Sequence, residues 1–239
     1  MTNDDISASV ASVSTTATNE NELHTFNYFP TPVYTLKNSA FLTTVSDVAD
    51  EYLKKAHREQ PTLNEIYPLY QTDSMLDDAR LYDFIKYLSQ LGWDILNSQG
   101  YDMNQFNTYL NALWCQEHHR RSNMEYHVHG YGEQLVGFYF LNSPTDTRVI
   151  FHDPKPGKVQ ISLPETDSTM ATHASNMINF TPEPGMIMIT NAWLAHSFTR
   201  NISTTPFKFM HFNIIVSPAQ NVCATSNANT TVYQAPEII

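Results

Sequence analysis

Cysteine is scarce in these 239 residues, with Cys115 and Cys223 alone. Two thiols so far apart give no disulfide framework, and a reducing compartment is the simpler expectation. Basic residues are also few, 13 Lys and Arg against 24 Asp and Glu, for a formal net charge of -11. A non-specific polyanion binder draws its affinity from Lys and Arg neutralising phosphates, so the composition argues against that class while leaving room for a local basic groove. No apolar run approaches membrane-spanning length, and the polar, acidic N-terminus does not read as a secretory signal. No internal repeat is visible. The expectation is a soluble, cytoplasmic protein long enough for one domain with a proper core.

What is present changes along the chain. Residues 1–23 are rich in Ser, Thr, Asn and Asp with almost nothing large to bury, and read as a disordered arm. Residues 218–239 read as a loose tail. Between them, 24–217 form one domain with a helical front part, 38–100, and a β core, 107–216. Pro30, Pro32, Val33 and Tyr34 suit an edge strand. Phe41, Val45, Val48, Tyr52 and Ala56 then recur at helical spacing, with Asn38 or Ser39 as cap. A second helix carries Leu81, Phe84, Ile85, Leu88, Leu91 and Ile95 as its buried stripe. Asp73 or Ser74 is its expected cap, Asp77 and Asp78 sit in its first turns, and Gly100 is its stop. Two amphipathic helices need a sheet to lie against.

Strands are expected at 108–117, 134–142, 147–151, 157–162, 177–180, 185–190, 194–199 and 206–216, separated by Pro, Gly and Asn turn signals. Many short strands with regular turns imply a β-sandwich or barrel. The fold class is therefore mainly β with flanking helices. Its chemistry centres on Tyr126-His127-Val128-His129-Gly130. Histidines at i and i+2 of an extended segment project from one face and can reach one metal ion. A third histidine, His196, follows the apolar run 184–190 and Trp193-Leu194-Ala195. A close pair on one strand and a distant ligand on another is how a double-stranded β-helix, or jelly-roll, builds a mononuclear metal site.

The order of these parts resembles the iron(II)- and 2-oxoglutarate-dependent oxygenases, in particular a group common in phage and marine bacterial genomes. It runs from the Trp114 strand through His127-Val128-His129, Leu141-Asn142, Phe151-His152-Asp153-Pro154 and Trp193-Leu194-Ala195-His196 to Phe212-Asn213. The resemblance implies a jelly-roll holding one Fe(II), with 2-oxoglutarate as cosubstrate and two or more N-terminal helices packed on one sheet. It assigns the first ligand to His127 and the distal ligand to His196. His129 stands where most of the superfamily has a carboxylate, so three neutral imidazoles replace the facial triad of two histidines and a carboxylate. Asp153 is a rival for that position, although an Asp before Pro is more often a turn-former.

Lys208 matches the cation that meets the far carboxylate of 2-oxoglutarate, on one strand face with Met210, Phe212 and Ile214. Arg200 is its rival, and Tyr139 a second donor to the same carboxylate. His211 and Asn213 project the opposite way and read as structural. His118-His119-Arg120-Arg121 is a basic cluster, read as a solvated loop or a surface facing an acidic substrate. The implied activity is hydroxylation of an unactivated C–H bond in a small-molecule, peptidyl or nucleobase substrate. Two alternatives stand beside it: a three-histidine cupin-type enzyme needing no 2-oxoglutarate, and a non-catalytic phage structural or accessory jelly-roll.

Overall fold

The computed structural model describes residues 23, 25, 27–144, 146–161 and 163–219. The expected N-terminal arm and C-terminal tail therefore lie almost wholly outside the described residues.

Among the described residues, ten strands pair antiparallel in two sheets. The larger contains β1 (Val33–Lys37), β2 (Leu69–Gln71), β3 (Phe106–His118), β5 (Leu135–Phe140), β8 (Met186–Asn191) and β10 (Phe207–Pro218), in the order β1-β8-β5-β10-β3-β2. The smaller contains β4 (Met124–His127), β6 (Val149–His152), β7 (Met177–Phe180) and β9 (His196–Phe198), in the order β4-β9-β6-β7. Helices α1 (Leu42–Glu59) and α2 (Tyr82–Ser98) cover the outer face of the larger sheet. This is the jelly-roll that the resemblance implied, within the β-sandwich or barrel class read from the strand pattern.

All six residues of β5 are buried, and that explains why its sequence does not alternate. Both of its faces are covered. Leu135 and Tyr139 join Val45, Val48, Leu53, Phe84 and Leu88 in the cluster under the helices. Val136, Phe138 and Phe140 face inward, with Phe151, Phe198, Phe207 and Phe209, in the cluster between the sheets. Gly137 is required between them. A Cβ there would run into the ring of Phe212, its cross-strand partner on β10.

Several expected boundaries moved. Asn38 does cap the front helical segment, its side chain accepting from Ala40 N at 3.1 Å. The second helix starts at Tyr82, behind a 3-10 turn capped by Asp78, whose Oδ1 accepts from Arg80 N at 3.0 Å. Asp73 lies outside the helix and pairs with Lys55. The strand expected at 157–162 is a 3-10 turn over Pro156–Gln160. Asp153 accepts from Lys155 N at 2.9 Å and Lys158 Nζ at 2.8 Å, and that local turn supplants an extended ladder. Strand β2 was not expected, being only three residues on a sheet edge. Gly100, with φ +94°, does stand just past α2. No helix among the described residues is long and apolar enough to cross a membrane.

Candidate metal centre

Three segments bring the site together. His127 is the last residue of β4 and pairs in register with His196, the first residue of β9. The β4–β9 ladder shifts register between Met124 and His127, a bulge of the kind that re-aims a side chain. His129 lies beyond the strand and is tied down by its own N–H, which donates to Ala192 O at 2.9 Å. The third segment is the middle of β10, where His211 sits between Trp114 on β3 and Phe138 on β5.

One ring nitrogen from each of His127, His129, His196 and His211 lies within 4.8 Å of one from every other. The rings of His129 and His196 are stacked, with centroids 5.3 Å apart, and the His127 and His196 rings are edge-on at 4.4 Å. His211 lies flat against the Trp114 ring at 4.2 Å, and Phe138 meets it edge-on at 4.9 Å.

Backbone carbonyls set two of the tautomers. His127 Nδ1 lies 2.8 Å from Glu125 O, and His196 Nδ1 lies 3.0 Å from Leu194 O. A carbonyl only accepts, so Nδ1 carries the proton and Nε2 presents a bare lone pair. Carbonyl-held rings of this kind are how metal-ligating imidazoles are oriented. Buried side-chain atoms without a hydrogen-bond partner include His129 Nε2, His196 Nε2 and His211 Nδ1. A buried polar atom left unpaired costs about 1–3 kcal/mol, and the three rings that carry these atoms all belong to the one cluster. Burial holds His196 down at about 3 and, with His127 beside it, His129 at about 4. Burial also pushes His211 well below the ordinary histidine value. All three rings are thus neutral near pH 7, the form that binds a cation.

The larger sheet turns Lys208 away from this place. On β10 the alternation sends Lys208 outward with Met210, Phe212 and Ile214, and Phe207, Phe209 and His211 inward. Lys208 Nζ donates to Asp50 of α1 at 2.7 Å. Tyr139 also faces the helices, where its hydroxyl donates to Asn38 O at 2.8 Å. Both expected cosubstrate contacts are therefore corrected: the pairing with Met210 and Phe212 was right, but that face packs on the helices. Arg200 is exposed in the loop after β9. Asp153 is occupied by Lys155 and Lys158 in its turn.

Sequence reasoning missed His211. Its parity with Phe207 and Phe209 set it opposite Lys208, but both faces of the strand are apolar, so nothing in the sequence marked which one looks inward. The basic cluster is divided as well. His118 is buried, its Nδ1 2.7 Å from Ser122 Oγ, and Arg120 and Arg121 are exposed. His119 Nε2 and His57 Nε2 both meet Glu117 Oε1, at 2.7 and 3.0 Å. Each ring there already has a carboxylate partner, unlike the rings of the central cluster.

Residues 112–213 match a family model described as "Putative 2OG-Fe(II) oxygenase". This stretch, less than half of the chain, is similar to that family. Solved structures agree on the fold. A prolyl-4-hydroxylase from Pseudomonas putida aligns with a TM-score of 0.51 at 8% identity, over 77% of this chain and 92% of that one. AviO1 from Streptomyces viridochromogenes gives 0.54 at 8% identity, over 77% and 90%. HygX from Streptomyces hygroscopicus, solved with nickel, 2-oxoglutarate and hygromycin B bound, gives 0.50 at 12% identity, over 77% and 82%. No curated protein sequence matches.

Fe(II) and 2-oxoglutarate are the cofactor and cosubstrate that the oxygenase family's name carries. The residues present fit the metal: neutral imidazoles with bare, unpartnered nitrogens are borderline ligands suited to iron. They fit the cosubstrate less well. The inward positions Phe207, Phe209, His211 and Asn213 of β10, and Val136, Phe138 and Phe140 of β5, hold no lysine or arginine.

Proposed function

We propose that this chain is a non-haem Fe(II)- and 2-oxoglutarate-dependent dioxygenase that hydroxylates an unactivated C–H bond, with the metal held by His127, His129 and His196. The observation that carries the reading is the convergence of these rings, two of them with buried Nε2 atoms lacking any partner. Bound there with the cosubstrate, iron supplies the oxidising chemistry. The chain's own work is positional. Glu125 O and Leu194 O fix two rings, and Ala192 O anchors the His129 backbone. Phe138 and Phe151, against His196, keep water from the buried side. The substrate is a small molecule, a peptidyl residue or a nucleobase, met in the cytoplasm.

A second reading has its own support. The Lys208–Asp50 pair and the phenylalanine-lined interior favour a histidine-ligated metal enzyme of cupin type that works without 2-oxoglutarate. Anaerobic titration of the Fe(II)-loaded protein with 2-oxoglutarate separates the two. A visible metal-to-ligand charge-transfer band that saturates supports the dioxygenase. Its absence at millimolar cosubstrate, with iron demonstrably bound, transfers the assignment to the second reading.

A further inference from the structure

We propose that His211 is a fourth protein ligand to the metal, making the centre a four-histidine site with two open coordination positions instead of three. This rests on the reading that His127, His129 and His196 hold a metal.

The first support is position. A ring nitrogen of His211 shares the 4.8 Å cluster with the other three, although it comes from the larger sheet and they come from the smaller sheet and its loops. The ion would thus be held from both walls of the jelly-roll. The second is satisfaction. His211 is 1% exposed, and its Nδ1 is buried without a hydrogen-bond partner. Among the described residues no hydrogen bond joins any two of the four rings, so they do not satisfy one another. The third is packing. Trp114 stacks on one face of His211 and Phe138 abuts its edge, so the ring is held rigidly. An apolar side chain would fill such a place at no polar cost. An imidazole with an unpaired nitrogen is a loss there unless a cation completes it.

The chemical consequence is a matter of counting. A facial triad leaves three positions on a six-coordinate ion, two for a bidentate 2-oxo acid and one for oxygen. Four imidazoles leave two. A chelating 2-oxo acid would fill both, so a third ligand could enter only if one imidazole let go. His211 therefore decides how many small ligands the centre can take together.

X-ray absorption on the full-length protein, loaded anaerobically with Fe(II) and separately with Co(II), counts imidazoles directly. Four in the parent and three in His211→Phe are expected, with the Fe(II) Kd of the variant raised on the order of tenfold or more. Phenylalanine keeps the ring against Trp114. Should that variant fail to fold, His211→Gln replaces it, and the parent's count decides in either case. Three imidazoles in the parent, or an unchanged count in the variant, would overturn the fourth ligand and leave the proposed function standing. A parent that binds neither Fe(II) nor Co(II) would overturn both.

Discussion

At the scale of single residues, the site divides into rings with a carbonyl behind them and rings without. His127 and His196 each give up Nδ1–H to a backbone oxygen, and this leaves their far nitrogens free for a cation. Replacing either by alanine should abolish stoichiometric Fe(II) binding while the β-rich circular dichroism persists. Equilibrium dialysis with iron analysis checks this, and two variants that both keep full iron would remove the site. For His129, substitution by aspartate should retain metal, because a carboxylate is the commoner ligand in the superfamily pattern, while leucine should weaken binding strongly. Lys208 belongs to a different account. Its ion pair with Asp50 is partly open to solvent, at 22% and 48% side-chain exposure, and such pairs contribute about 0–1 kcal/mol. Lys208→Met should therefore shift the urea midpoint slightly and leave Fe(II) and 2-oxoglutarate affinities unchanged. A large loss of cosubstrate affinity would restore Lys208 to the site.

At the scale of elements, close packing of β5 and β10 sets the tolerances. Gly137 and Phe212 are direct cross-strand partners, and the ring occupies the space a side chain would need. Gly137→Ala should destabilise the fold by about 1–3 kcal/mol, the usual cost of overpacking, read as a lower denaturation midpoint at unchanged slope. How well the elements were legible depends on which signal each used. The stripes of α1 and α2 and the apolar runs of β5, β8 and β10 were readable because burial imposes a period or abolishes one. The His127, His129 and His196 convergence was readable from the close pair and the distant third histidine, although His129 lies past the end of β4 and is placed by its N–H bond to Ala192 O. The face of β10 was not. Its run is apolar on both sides, so alternation separates Lys208 from His211 without saying which looks into the jelly-roll. Only the helices, by covering one face, decide it. The turn at 153–160 was misread for a local reason: Asp153 captures Lys155 N and Lys158 Nζ before a ladder can form.

At the scale of the whole molecule, the buried histidines make stability depend on pH. His129 and His196 are held at about 4 and about 3, and burial, with His119 nearby, lowers His118 to about 4. In the unfolded chain each titrates near 6.5. Between those values the unfolded state binds more protons than the folded one, so folding is favoured as pH rises. The contribution is fully present above about 6.5 and is lost as pH falls toward about 4. The metal-free protein should show a melting temperature that declines through that window, by differential scanning calorimetry. A flat profile from pH 7 to 4 would mean that these rings are not buried neutral.

Strand β10 serves two unlike surroundings at once. One parity, Met210, Phe212 and Ile214, belongs beneath the helices, and the other, Phe207, Phe209 and His211, belongs between the sheets. Sliding this strand by a single residue against its neighbours would exchange the two sets wholesale. Methionine would then stand among the histidines, and an imidazole would be thrust beneath the helices. An apolar strand with two interchangeable faces has no such safeguard. Here each misaligned pairing is penalised on both sides, so the strand carries its own proofreading, and His211 is one of the letters being checked.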